Sequence, residues 1–377
     1  MKSVLIAFLI SCGLFGSIYS CNLDGTPIED ISYKEMNDIV ESIDIEQIDE
    51  EVMINSIPEL VVNEVQYVEA VEPPTFNIKM TFAGDAMISC YKDQTTSGSF
   101  NEYTDKKPPT YFLEKVEHIF KEDDITLVNL ENVLSDNKLK EVTKDHNPAY
   151  WFKAKTSNTN ILTSSGVEAV SLANNHFGDY GQQGKIDTIA AVEKAGLLYG
   201  NNDKTFYYEK NGYKIAFICH GLWGEYQADA IIKKVKEAEK ESDYQVVFFH
   251  GGTEKIHKPE DWKIRAAHKM VDNGADLVIG GHPHVLQPME TYNGVDIVYS
   301  LGNFCYGGSR KPENRTVIYQ MDLTINNDGK LVSSESNLIP CYVYTGSVNN
   351  YQPTPVEDPV IKQKILDFMD WKVNSPV

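Results

Sequence analysis

One repeating feature constrains this chain more than any other. From Phe76 onward, apolar runs of strand length recur, each closed by a polar or glycine-rich turn, with amphipathic helical segments between several of them. The runs 78–83, 125–130, 169–172, 214–218, 245–249, 275–279, 296–300 and 316–323 read as strands. Segments 111–120, 182–195, 229–241 and 259–273 read as helices, two of them ending on Gly196 and Gly274 in the left-handed cap position. Strands alternating with helices specify an α/β fold.

Residues able to bind metal recur at the carboxyl ends of these strands. Asp85 follows KMTFAG, Glu131 follows ITLVNL, Asn175 and His176 follow AVSLAN, His250 follows VVFF, and His282 and His284 follow LVIGG. In open α/β sheets that edge is where ligands bind, so side chains distant in sequence can converge there. Each residue alone has an ordinary explanation: a turn aspartate, Asn-Asn turn chemistry, a surface glutamate, a hydrogen-bonded core histidine. Five strand ends supplying oxygen and nitrogen donors together are hard to explain as core polarity. Gly281-His282-Pro283-His284 is the strongest element, because two histidines two apart on an extended segment can send both imidazoles to one cluster. Carboxylate, amide and imidazole donors without thiolate suit zinc, manganese or iron(II), and argue against copper(I) or iron–sulfur centres. His220 also ends a strand and is a candidate substrate contact. His118, His146, His257 and His268 read as solvated. Walker A, GxSxG and post-strand GxGxxG motifs are missing, which removes the common nucleotide and serine-hydrolase readings.

The 377 residues are 42% apolar, enough for a substantial core, and the formal net charge of −21 disfavours nucleic acid as a partner. About two thirds of that charge lies between Asn22 and Glu72, where Lys34 is the single basic residue. Segment 22–74 therefore reads as an acidic tether. Residues 1–21 have a signal-peptide pattern: Lys2, a nearly all-apolar run, then Ser20-Cys21. The run is shorter than the roughly 20 residues of a membrane-spanning helix, and the cysteine after it points to lipid attachment at Cys21. Tyr19 is bulky for a lipobox, so simple secretion and an uncleaved anchor are the alternatives. An extracytoplasmic, membrane-anchored bacterial protein is expected, with a main domain over 75–345 and a C-terminal extension over 346–377. Cys90, Cys219, Cys305 and Cys341 are either two disulfides or buried free thiols.

FAGDAM (82–87), LVNLENVLSD (127–136), SLANNHFGDYG (171–181), FFHGG (248–252), IGGHPHVLQP (279–288) and YSLGNF (299–304) resemble, in order, the poly-γ-glutamate capsule synthesis protein CapA family. That family is similar to the calcineurin-like metallophosphoesterases, and the resemblance spans about 76–323. It implies a four-layer sandwich of two β-sheets flanked by helices, with a cluster of one or two divalent ions (Mn, Fe or Zn) at one edge. By that resemblance Asp85 and His284 would hold the first metal and Asn175, His250 and His282 the second, with Glu131 bridging. His176 would act as general acid or orient a substrate oxyanion. Asn174, His220, Glu254 and Asn303 are the candidate substrate contacts. Two departures stand out. Met87 occupies the place of a histidine in the wider phosphoesterases, and Gly251 that of a tryptophan, with Glu254 the candidate for the acidic residue that follows it.

The implied activity is metal-dependent hydrolysis of a phosphoester or related polymer bond outside the membrane. The alternatives are an accessory factor of capsule synthesis or export that binds an anionic polymer such as poly-γ-glutamate, and an inert interaction scaffold. Expected partners are accordingly an anionic polymer or phosphoester substrate, the membrane through the N-terminal anchor, and the capsule synthesis machinery.

Overall fold

The apolar runs assemble into two sheets. A computed structural model describes residues 74–377, apart from 93, 95, 96, 146 and 147. The leader, Cys21, nearly all of the acidic segment and His146 lie outside the described residues. The first sheet has a parallel centre of β1 (Thr75–Met87), β2 (Ile125–Leu130), β5 (Ala169–Ser171) and β6 (Leu198–Gly200). It continues antiparallel from β1 through β14 (Thr316–Asn326), β15 (Leu331–Tyr342) and β16 (Thr354–Pro355), while β13 (Asn303–Tyr306) pairs in parallel with the end of β1. The second sheet has a parallel centre of β8 (Tyr213–Gly221), β9 (Tyr244–His250), β10 (Leu277–Gly281) and β12 (Val295–Leu301). Antiparallel strands β7 (Phe206–Lys210) and β11 (Leu286–Tyr292) form its edges. β3 (Val133–Leu134) and β4 (Lys153–Ala154) make a separate short ribbon.

Parallel strands covered on both faces need apolar residues at nearly every position. Here the alternation sorts them into separate cores. Ile78, Met80 and Phe82 of β1, Ile125 and Leu127 of β2, and Tyr319 of β14 face Ile215 and Phe217 of β8, Val246 and Phe248 of β9, and Leu277 and Ile279 of β10. Burial of each such side chain contributes about 1.5–3 kcal/mol, so this middle layer is the main source of cohesion between the sheets. On the far side of the second sheet, Ala216, Ile218, Val247, Phe249 and Val278 pack under Ile231 and Val235 of helix Ala228–Ala238 and Ala266, Ala267 and Met270 of helix Asp261–Val271. Val128, Leu130 and Val170 of the first sheet pack against Val192 of helix Gly181–Lys194 and Leu162 of helix Thr159–Thr163. The result is the four-layer α/β sandwich.

The amino ends of the central strands share one device. The residue immediately before a strand is acidic, and its carboxylate accepts the N–H of a residue near the start of the neighbouring strand. Asp124 accepts from Lys79, Glu168 from Thr126, Asp243 from Lys214 and Asp276 from Gln245, at 2.8–2.9 Å. Register is thereby pinned at the edge opposite the candidate site.

Two expectations change. Segment 111–120 is not one helix: a 3-10 turn at Pro109–Tyr111 gives way to turns, and helix resumes only at Glu117–Lys121. Val116, with φ −124°, departs from helical backbone although the apolar spacing suits a helix. Segment 346–377 packs into the described unit, since Ile365, Phe368 and Met369 of helix Pro359–Met369 join the inter-sheet core. Asp358 caps that helix through the N–H groups of Val360 and Ile361, with proline following it at the first helical position. Cys90, Cys219, Cys305 and Cys341 are buried free thiols.

Candidate metal centre

At the carboxyl edge the two sheets meet, and the meeting requires glycine. The Asp85 N–H donates to Gly302 O at 2.9 Å, and a Cβ on Gly84 would run into that same carbonyl. A Cβ on Gly281 would stand 2.8 Å from Asp85 Oδ1. These close approaches bring the ends of β1 and β2 against those of β9 and β10.

Asp85, Glu131 and His250 are buried completely, and His282 and His284 nearly so. Nδ1 of His250 lies 3.6 Å from Asp85 Oδ1 and its Nε2 3.3 Å from Glu131 Oε1. Nδ1 of His284 lies 3.1 Å from Asp85 Oδ2 and its Nε2 3.6 Å from Glu131 Oε1. Nε2 of His250 is 2.9 Å from Asn175 Oδ1 and 3.1 Å from His282 Nδ1. All six residues read from the sequence as metal ligands are therefore in one cluster. Two trios have donor atoms close enough to share one ion: Asp85, Glu131 and His250, and Glu131, His282 and His284.

The GHPH segment is not extended as the sequence reading assumed. His282 has φ +93° and His284 φ +57°, so both sit in left-handed backbone that costs of order 1–3 kcal/mol for a residue with a side chain. The bend turns both imidazoles inward. Glu131 Oε1 and His284 Nδ1 are buried, and among the described residues neither makes a hydrogen bond of good geometry, although Glu131 Oε1 is 3.3 Å from His250 Nε2 and His284 Nδ1 is 3.1 Å from Asp85 Oδ2. Unmatched polar atoms among oxygen and imidazole donors fit a cation at this position, and the group could hold a metal.

The electrostatics agree. Burial opposes charge on Asp85, but the adjacent imidazoles of His250 and His284 hold its carboxyl far below the ordinary range. Burial likewise opposes charge on His250 and His284, yet Glu131 and Asp85 outweigh it and push both imidazoles up to about 9. His282 goes the other way, down to about 2, because burial and the neighbouring charges of His250 and His284 add.

Asn129, Asp179, Lys144 and Trp223, inconspicuous in the sequence, join the candidates around the site. Asn129, inside an apolar run, donates to Asp85 Oδ1 at 2.8 Å and lies 3.0 Å from His250 Nδ1. Asn174 donates to Asn129 Oδ1 and Leu130 O, while its own Oδ1 accepts from the N–H groups of His176 and Phe177, which fixes the turn that presents Asn175. His176, 8% exposed, has Nδ1 2.9 Å from Asp179 Oδ2 and its ring edge-on to Phe152. The fully buried Asp179 also pairs with Lys144 at 2.6 Å and accepts from Phe152 N. Trp223 stands edge-on over His282, ring centres 4.9 Å apart, and is 41% exposed. An indole thus reaches the histidines from residue 223, although residue 251 is glycine. The signals for these residues were the NxE spacing in LVNLEN, the HxxD spacing in HFGD, and the aromatic directly after a strand end in GLW.

The remaining candidate contacts are distributed unevenly. Asn303 donates from Nδ2 to His284 O at 2.8 Å. Glu254 is exposed on the loop after β9, and its charge is among those raising His284. His220 is not brought into the cluster. It shares a register position with Phe249, which faces the helices, and its Nδ1 donates to Gly221 O at 2.7 Å.

Residues 79–307 match the family model described as bacterial capsule synthesis protein PGA_cap. The PGA biosynthesis protein CapA of Bacillus subtilis (strain 168) is 29% identical over 312 residues, covering 77% of this chain and 76% of that one. The capsule biosynthesis protein CapA of Bacillus anthracis is 30% identical over 333 residues, covering 80% and 76%. Among solved structures, a hypothetical protein from Thermus thermophilus aligns with 70% of this chain and 99% of its own at 14% identity and a TM-score of 0.43.

Proposed function

The chain belongs to the bacterial capsule synthesis protein PGA_cap family, and from that premise we propose that it is an extracytoplasmic, membrane-anchored metal-dependent hydrolase acting on poly-γ-glutamate or a similar anionic polymer. The observation that carries the reading is the buried cluster of Asp85, Glu131, His250, His282 and His284, with unmatched donor atoms and strained ligand-bearing backbone. Donors of this kind suit manganese, iron(II) or zinc. Ions bound there would supply Lewis-acid polarisation of the substrate and a nucleophilic water at neutral pH.

The protein's own groups do the rest. Asp179 holds His176 Nδ1 and leaves Nε2 as the free ring nitrogen, suited to protonate a leaving group. Lys144 holds Asp179 from its other oxygen. Asn129 and Asn174 fix the orientation of Asp85 and of the Asn175 turn. Trp223 and the Phe152 side chain form apolar walls that limit water around the histidines.

A second reading, a polymer-binding accessory factor without turnover, is favoured by one feature. Met87, two residues beyond Asp85, is fully buried and offers a thioether where a stronger ligand would complete a first site.

The test is turnover of poly-γ-glutamate, phosphodiester and phosphomonoester substrates by metal-loaded protein. The hydrolase reading expects cleavage that falls at least 100-fold in His176→Ala while metal content is unchanged. Retained polymer binding with no turnover on any metal would replace it with the accessory reading.

A further inference from the structure

Asp85 is flanked on both sides by asparagine. In the parallel pairings it stands opposite Asn129 of β2 and opposite Asn303 of β13. Directly opposite residues on neighbouring strands place their side chains on one face of a sheet, so Asn129, Asp85 and Asn303 form a row at the carboxyl edge. The two asparagines are bonded differently. Asn129 spends its amide nitrogen on Asp85 and its oxygen on Asn174. Asn303 spends its nitrogen on His284 O, and its Oδ1 accepts no hydrogen bond although the residue is only 1% exposed.

A buried amide oxygen without a partner costs about 1–3 kcal/mol, and a site retaining one calls for a reason. Its neighbours by register and hydrogen bond are Asp85 and His284 of the cluster, where Glu131 Oε1 and His284 Nδ1 are likewise buried without a hydrogen bond of good geometry. Strands about 4.8 Å apart bring same-face oxygens close enough to share one ion. On β1 itself the next same-face residue, Met87, supplies only a soft thioether sulfur, poorly matched to a hard ion such as manganese.

We propose that Asn303 Oδ1 is a metal ligand at the Asp85 and His284 side of the cluster, completing a site that β1 alone leaves short of donors. This rests on the reading of the cluster as a metal centre. Asn303 then has two jobs: its nitrogen holds the His284 carbonyl, and its oxygen faces the ion.

Two substitutions separate those jobs. Asn303→Ala removes both groups; Asn303→Asp keeps an oxygen and removes the N–H donor. Metal-free wild type and both variants, shown to be folded by circular dichroism and melting temperature, are titrated with manganese and with zinc against a competing chelator. Cobalt absorption then reports coordination number. The proposal expects Asn303→Ala to lose one ion or bind at least tenfold more weakly, with a changed cobalt spectrum, and Asn303→Asp to bind as tightly as wild type or tighter. Equal binding by wild type and Asn303→Ala would overturn it, and so would equal weakening in both variants, since the hydrogen bond to His284 would then be the whole role. If wild type binds neither metal, the metal centre itself fails and this ligand with it.

Discussion

The two edges of the sheets bury the same chemistry and resolve it in opposite ways. At the amino edge, Glu168, Asp276 and Asp123 are partly buried, and desolvation raises them: Glu168 to about 7, the two aspartates to about 6. Each accepts a hydrogen bond at the start of a strand, but among the described residues none has a cation close enough to cancel the burial, Lys79 offsetting it only in part at Asp123. At the carboxyl edge Asp85 is buried more deeply and is nevertheless held far down, because imidazoles surround it. Burial alone therefore does not decide the fate of a carboxylate here. The amino edge uses acids as strand caps that tolerate protonation, whereas the carboxyl edge sets imidazoles around an aspartate that stays ionised.

The largest test of that contrast is His250→Ala. Removing an imidazole that lies against both Asp85 and Glu131 leaves buried carboxylates short of a partner, a change that typically costs about 3–5 kcal/mol. Urea unfolding should show that loss, and metal titration should show binding abolished; a stable variant that still binds metal would erase the distinction between the edges. Chelation should come next in size. If the cluster holds an ion at 100 times its dissociation constant, stripping it costs about 2.7 kcal/mol, read as a fall in melting temperature that added manganese or zinc reverses. Gly84→Ala should destabilise by about 1–3 kcal/mol through overpacking against Gly302, and should weaken metal binding because the junction aligns Asp85 with His282.

The smallest effect belongs to the amino edge. The folded-state pKa of Glu168 lies above the ordinary carboxylate value, so the folded protein binds that proton more tightly than the unfolded chain. Its contribution to stability is complete below pH 4.5 and is lost as pH rises through about 7. Glu168→Gln should flatten that part of the stability profile and leave metal affinity unchanged; an altered metal affinity would mean that the two edges are coupled.

Much of this architecture was readable in the chain because its central strands are buried on both faces and appear as unbroken apolar runs. Strands β7, β11 and β15 escaped for the opposite reason. They lie toward the sheet edges, and the SSESN stretch of β15 is exposed and polar. The clustering of Asp85, Glu131, Asn175, His250, His282 and His284 was readable because strand ends are where such side chains can converge. Asn129, Asp179, Lys144 and Trp223 were harder to read, since an asparagine within a strand or a lysine in a loop acquires its role only from partners distant in sequence, as Asn129 does from His250 and Lys144 from Asp179. The left-handed backbone at His282 and His284 was also hidden: their spacing suits an extended segment equally well, and only the contacts around Gly281 and Asp85 select the bend.

The most direct test of the central claim is the metal content of the folded protein. Metal-free wild type and His250→Ala would be equilibrated with manganese, iron(II) or zinc, desalted, and analysed for ions per chain. A metal centre predicts one or two ions retained by wild type and none by His250→Ala. Wild type that retains none of the three metals, or a variant that retains as much as wild type, would contradict it.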